Sequence, residues 1–333
     1  MNALIPVTLL TGFLGAGKTT LLNRLLAAHP DLRFAIVENE FGAAGIDGSL
    51  IAAQAENIVE LANGCICCSV RGELTSALVG LLARRQAGTL AFDRLIIETT
   101  GLADPGPVMQ GFFWEPELRD HFQLDAVITL VDVCHAGRQL DSEAVAAAQV
   151  AYADWLVLTK TDLADAGNLP ERLRAINARA PQLDVRVLDA RWPALLATGG
   201  FSLDERGLPP ASQNLWKPSG SVAGGLSKKP QRSWDDSIGS LLLEAENQVD
   251  LDAVSGFVDR LIEAHGHDLL RYKGILAVAG EPRRLIFQGV HRIAGFDYGR
   301  IWENGENRNS RIVLIGRDLP EAELQEAFKA CLA

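Results

Sequence analysis

Cysteine is scarce in this sequence, with five among 333 residues, and positive charge is outnumbered, with 31 Lys and Arg against 42 Asp and Glu. So little cysteine excludes a disulfide-stapled secreted scaffold. The net charge of -11 offers no broad cationic face to a nucleic-acid backbone or an anionic bilayer. No apolar run approaches the length of a membrane span. The N-terminus, MNALIPVTLLTGFLGAGKTT, lacks a basic leader, and its short apolar run passes directly into a glycine loop, which suits a buried strand better than a signal peptide. These absences point to a reducing, cytoplasmic setting without nucleic-acid or membrane partners. Yet three of the five cysteines share one tetrapeptide, Cys65-Ile66-Cys67-Cys68.

The length exceeds that of one ordinary hydrophobic core, which implies two domains. Apolar runs recur at 7–10, 34–38, 95–99, 126–132, 155–159 and 185–188, each spaced to leave room for a helix. Continuous rather than alternating hydrophobicity suits strands covered on both faces. Helical patterns fall between them in TTLLNRLLAA, ELTSALVGLLARR, SEAVAAAQVAYA and LPERLRAINAR. The expected fold is α/β, a doubly wound, mostly parallel sheet of P-loop NTPase type over residues 1–190. Residues 191–233 hold five prolines among Gly and Ser and read as an irregular segment and linker. Residues 234–333 then give strand (SIGSLLLEA), helix (LDAVSGFVDRLIEA), three strands (GILAVAG, RRLIFQGV, RIVLIG) and a last helix, a smaller α+β domain.

Chemistry enters first at Gly12-Phe13-Leu14-Gly15-Ala16-Gly17-Lys18-Thr19, which matches G-x-x-x-x-G-K-[ST] between a strand and a helix. Glycines let successive N–H groups, including those of Gly15, Ala16, Gly17 and Thr20, curl around a phosphate at a positive helix end. Lys18 supplies a point charge to the β- and γ-phosphates, and the Thr19 hydroxyl is a ligand for Mg²⁺. At the end of the 95–99 strand stands Glu98-Thr99-Thr100-Gly101-Leu102-Ala103-Asp104. A carboxylate there suits Mg²⁺ held through water, and Gly101 offers an N–H to a γ-phosphate. Alternatively Glu98 is a cap before an ordinary turn. After the 155–159 strand comes Thr159-Lys160-Thr161-Asp162. Guanine presents two adjacent donors that one carboxylate accepts together, so Asp162 favours GTP and GDP over adenine nucleotides.

The cysteine tetrad admits three readings from its residues. Thiolates suit Zn²⁺, and Co²⁺ or Ni²⁺ in similar sites. Neighbouring cysteines also form a vicinal disulfide or redox couple, and free cysteine serves as a small apolar side chain in turns. In an extended segment Cys65 and Cys67 share a face while Cys68 points away, so a turn is needed to gather all three.

GFLGAGKTT, ENEFG, GCICC, ETTGLADP and TKTD, in that order, resemble the CobW/YjiA-type P-loop GTPases, a family of metallochaperones. RYKGILAV (271–278) and RLIFQGV (284–290) are similar to that family's C-terminal domain. The resemblance implies a GTPase in which Lys18, Glu98 and Gly101 serve catalysis, and with no glutamine or arginine finger assignable its intrinsic turnover should be slow. Residues 38–42 and 98–105 would be its two γ-phosphate-sensing switches. Lys160 and Asp162 would read the base, with Thr159 where many GTPases carry Asn. It further implies that Glu38 joins Cys65, Cys67 and Cys68 as ligands of a transition metal passed to a client metalloprotein. The C-terminal domain would be the client- or self-association surface, giving a possible homo-oligomer. A histidine-rich tract, common near the domain junction in the family, is missing from 191–233. Cys134, Cys331, His135, His265 and His267 are isolated and read as structural or surface residues. The alternative function is a nucleotide-gated protein-binding module.

Overall fold

The computed structural model describes residues 4–39, 58–61, 70–199 and 237–333. The amino-terminal part alternates strand and helix: β1 (Ile5–Gly12), α1 (Lys18–Ala28), β2 (Phe34–Asn39), β3 (Ile58–Leu61), α2 (Val70–Gln86), β4 (Arg94–Thr99), α3 (Gly106–Trp114), α4 (Pro116–Arg119) and β5 (Phe122–Asp132). Then follow α5 (Ala136–Ser142), α6 (Ala144–Tyr152), β6 (Trp155–Thr159), α7 (Leu169–Ile176), β7 (Gln182–Asp184), a 3₁₀ helix (Val185–Arg191) and α8 (Trp192–Leu195). The seven strands form one sheet in the order β3-β2-β4-β1-β5-β6-β7, and every pairing is parallel. The chain leaves β1 toward β2 and leaves β4 toward β5, so a crevice opens outside the carboxyl ends of β1 and β4, where doubly wound sheets bind ligands. Val7, Leu9, Ala35, Ile97 and Val127 are buried in its centre, which is why these strands read as continuous apolar runs.

The carboxy-terminal part contains β8 (Ile238–Ala245), α9 (Leu251–His265), β9 (Leu269–Leu276), β10 (Arg283–Val290), β11 (Ile293–Ile301), β12 (Ser310–Arg317) and α10 (Glu321–Lys329). Its five strands form a sheet in the order β11-β10-β9-β12-β8, antiparallel throughout. One face packs on α9 and α10 through Leu243, Phe257, Phe287, Leu314 and Phe328. Leu270, Val290, Val313 and Ile315 instead join the apolar cluster of Tyr152, Leu173 and Ile176, so the two sheets share a core.

Several expectations need correction. VRVL is not a strand: the pairing strand is Gln182–Asp184, and Val185 opens the 3₁₀ helix. The cause is Asp184, whose side chain accepts from the Arg186 N–H and turns the chain. GILAVAG is displaced, because the strand begins at Leu269 and ends at Leu276. Buried Arg271 and Lys273 disguise its first half. Instead of three strands between the last two helices there are four, the extra one being β11. β3 also lies where no strand was expected. Among the described residues, no helix is long and apolar enough to cross a membrane.

Candidate functional site

The phosphate loop joins β1 to α1, with positive φ at Gly12, Gly15 and Gly17 (137°, 75° and 93°). Gly17 caps α1, and the first helical turn carries no acidic side chain, so the helix's positive end is open to an anion. Buried Lys18 folds back, donating through Nζ to the Gly12 carbonyl at 3.1 Å and toward that of Phe13 at 3.5 Å. Thr19 Oγ1 donates to Glu98 Oε1 at 3.2 Å. Glu98, on β4, is itself buried. The hydroxyl and carboxylate are hard oxygen donors at the mouth of a phosphate loop, a set that fits Mg²⁺. Behind them, buried Thr99 donates to Thr11 at 2.9 Å, joining β4 to β1. Thr20 lies within the first turn of α1.

The loop after β4 sits directly on the phosphate loop. A Cβ on Gly101 would lie 2.4 Å from the Leu14 main-chain nitrogen, so only glycine fits this approach. The loop is held from behind by Gln149, whose Nε2 donates to the carbonyls of Gly101 (3.2 Å) and Ala103 (3.1 Å).

At the carboxyl end of β6, Thr159 is not aimed outward. Its buried hydroxyl donates to the Ala16 carbonyl at 3.0 Å, bracing the phosphate loop from β6. Lys160 has φ 58°, unusual for a side-chain-bearing residue. Its Nζ is 2.7 Å from Asp132 Oδ2, at the end of β5. Asp132 Oδ1 accepts from the Cys134 N–H at 3.0 Å, and His135 Nδ1 is 2.9 Å from Oδ2. Burial pushes the Asp132 carboxyl up, but Lys160, His135 and the Cys134 N–H together outweigh it and hold it below the usual aspartate value. Asp162 is exposed and lines an open depression of about 590 Å³ with Thr161, Leu163, Asp184 and Arg186. Arg186 grips Asp184 with two nitrogens, and Thr161 Oγ1 donates to Asp184 at 3.0 Å. The Arg186 guanidinium brings the Asp184 carboxyl down to about 2, against the upward push of burial.

The chain thus brings Lys18, Thr19, Glu98 and Gly101 to one crevice, and Lys160 and Asp162 to a second station one strand beyond β5. Sequence reasoning passed over Asp132, Gln149, Asp184 and Arg186. Gln149 had a legible signal, as the one amide in the apolar run AVAAAQVAY. The metal ligands stand differently. Cys65, Cys67 and Cys68 lie outside the described residues, and Glu38 is described only by its backbone, opposite Glu98 in the β2–β4 register. Among the described residues no group of three or more His, Cys, Asp or Glu is placed to hold a metal. Cys134 is exposed and Cys331 buried.

A model of the CobW/HypB/UreG nucleotide-binding domain matches residues 6–184, and one of the cobalamin synthesis protein cobW C-terminal domain matches residues 238–332. The chain belongs to the CobW/HypB/UreG family. It is 44% identical over 329 residues to the zinc chaperone YjiA of Escherichia coli (strain K12), covering 97% of this chain and 98% of that relative. It is 35% identical over 373 residues to the zinc chaperone CobW of Pseudomonas aeruginosa, covering 99% and 92%. A crystal structure of Zn(II)-bound YjiA GTPase from E. coli superimposes with a TM-score of 0.78 at 39% identity, covering 100% of both chains. Within this CobW/HypB/UreG chain, the crevice between β1 and β4 and Asp162 itself both fall inside the span matched by the nucleotide-binding domain.

Proposed function

We propose that this chain hydrolyses GTP to GDP and phosphate, and that the cycle governs the uptake and release of a divalent transition metal, zinc foremost, for a client metalloprotein. The observation that carries the reading is the β2–β4 register, in which Glu38 stands opposite Glu98. β2 therefore ends, at Asn39, one strand from the carboxylate that meets the phosphate-loop threonine. A γ-phosphate and a metal can then be sensed by one switch. The zinc-chaperone names of the relatives support zinc as the cargo.

In this reading the N–H groups of Gly15, Ala16, Gly17 and Thr20, with Lys18 Nζ, hold the phosphates. Gly12 closes the strand ahead of them. Asp162 accepts the two guanine donors, Lys160 flanks the base, and Thr159 keeps the phosphate loop in place behind it. Thr19 and Glu98 would hold Mg²⁺, which supplies positive charge to the β- and γ-oxygens when bound. Gly101 donates its N–H to the γ-phosphate while water attacks phosphorus and GDP leaves. Cys65, Cys67 and Cys68 with Glu38 take the metal, a donor set shared by Zn²⁺, Co²⁺ and Ni²⁺.

The test is chelator competition for Zn²⁺ with the full chain, in GDP and in a non-hydrolysable GTP analogue. Tighter binding in the analogue, lost in Glu38→Ala, is expected. Equal affinity in both nucleotides would remove metal from the GTP cycle. Titration of GTP and ATP against wild type and Asp162→Ala tests the base reader, which fails if wild type binds both alike.

A further inference from the structure

α6 is an apolar helix with one amide, and that amide is fully buried. A buried primary amide is costly unless its donors are met. Both acceptors of Gln149 Nε2 are main-chain carbonyls, Gly101 and Ala103. Only the NH₂ end can face two carbonyls, so the side chain's orientation is fixed by chemistry.

Three residues along the same helix face, Tyr152 is also fully buried. Its hydroxyl is 2.5 Å from Nε2 of His291, in the β10–β11 turn of the C-terminal sheet. The other end of the same loop meets this pair. A Cβ on Gly106, where α3 begins, would lie 2.6 Å from the Tyr152 hydroxyl and 3.0 Å from His291 Nε2. The end of α6 is clamped in turn by Arg271 of β9, which donates to the Tyr152 carbonyl at 2.6 Å and to Asp154 at 2.5 Å. Residues 101–106 are thus held at one end by the Gln149 amide and at the other packed, at Gly106, against a hydrogen-bonded pair that crosses to the second sheet.

We propose that Gln149 and Tyr152 are positioning residues, which set the 101–106 loop against the phosphate loop and tie that setting to the C-terminal sheet through His291. The proposal rests on the GTPase reading. Its consequence is reciprocal: whatever the C-terminal sheet binds biases γ-phosphate sensing, and a γ-phosphate biases the C-terminal sheet. A packing role alone would alter stability while leaving the choice between GTP and GDP untouched.

The experiment uses the full chain and the variants Gln149→Met, Tyr152→Phe, His291→Ala and the Gln149→Met/His291→Ala double. Affinities for GDP and a non-hydrolysable GTP analogue are measured alongside thermal melting. Gln149→Met should weaken the analogue about tenfold relative to GDP, the scale of two lost neutral hydrogen bonds. His291→Ala and Tyr152→Phe should each shift the ratio about threefold the same way, and the double variant should fall short of the product of its parts. If Gln149→Met does not fold, Tyr152→Phe, which removes one hydroxyl, decides by the same ratio. Parallel losses for both nucleotides, or an unchanged ratio with a lowered melting temperature, overturn the positioning role. Full additivity in the double variant overturns the tie to the C-terminal sheet. A wild type that fails to bind the GTP analogue overturns the GTPase reading itself, and is told apart by that control.

Discussion

The Thr159 hydroxyl reaches the Ala16 carbonyl at 3.0 Å, joining the end of β6 to the phosphate loop across 143 positions of sequence. In the proposed GTPase, the residue standing where many GTPases have Asn would therefore act on the phosphate loop rather than on the base. Thr159→Val keeps the shape and removes the donor. GDP and GTP affinities should both fall about three- to tenfold, the scale of one buried hydrogen bond and an orphaned carbonyl. The preference for guanine over adenine should stay as in wild type. Fluorescent-nucleotide titration checks both numbers, and a changed base preference would return Thr159 to the base.

The Thr19–Glu98 contact places the prospective Mg²⁺ donors side by side. Thr19→Ala and Glu98→Gln should each raise the Mg²⁺ concentration for half-maximal hydrolysis about tenfold or more. GDP binding in EDTA should be unaffected. A Mg²⁺ titration of turnover separates this from general damage, which would weaken nucleotide binding with or without the ion.

Asp154 is shared by two buried guanidiniums, Arg179 at 3.0 Å and Arg271 at 2.5 Å, and its other oxygen accepts from the Val127 N–H. Burial, with Arg271 alongside, lowers Arg179 to about 9 despite this carboxylate. Removing one partner from such a site is far more damaging than a surface ion pair would suggest. Asp154→Ala should cost about 3–5 kcal/mol in urea unfolding. A loss below about 1 kcal/mol would show that the cluster is dispensable.

Burial holds His291 below the usual 6.5, with Arg317 and His267 pushing the same way and Asp104 and the Leu269 main chain opposing. A histidine depressed in the folded state contributes its full stability above 6.5. That contribution is lost as pH falls below 6.5 toward the folded value, because the unfolded chain takes up the proton more readily. Tyr152, its partner, is raised well above 10 mainly by burial and stays protonated throughout. The melting temperature should therefore drop between pH 6.5 and 5 more steeply in wild type than in His291→Gln. Equal slopes would mean that another group governs acid sensitivity.

Much of the nucleotide end was legible because its chemistry needs particular residues in a particular order. The glycines and Lys18 mark the phosphate loop, and β1, β2, β4, β5 and β6 announce themselves by continuous apolar runs, being buried on both faces. Legibility failed where tertiary partners replace local pattern. β9 hides behind Arg271 and Lys273, whose charges are buried in the fold rather than displayed. β11 is largely exposed along IAGFDYGRI and shows neither a buried run nor clean alternation. VRVL looks like a strand until Asp184 turns it. Gln149 could be seen as odd in its helix, but not which carbonyls it would hold.

The approach of Gly101 to Leu14 bears on how position 101 varies in evolution. Its space is closed by a neighbour's main chain, so no change of side chain at 14 can open it. Glycine is required there whether or not a phosphate is ever sensed. Invariance at 101 among relatives would therefore report steric exclusion and not chemistry, whereas the largely exposed Leu14 side chain is free to drift.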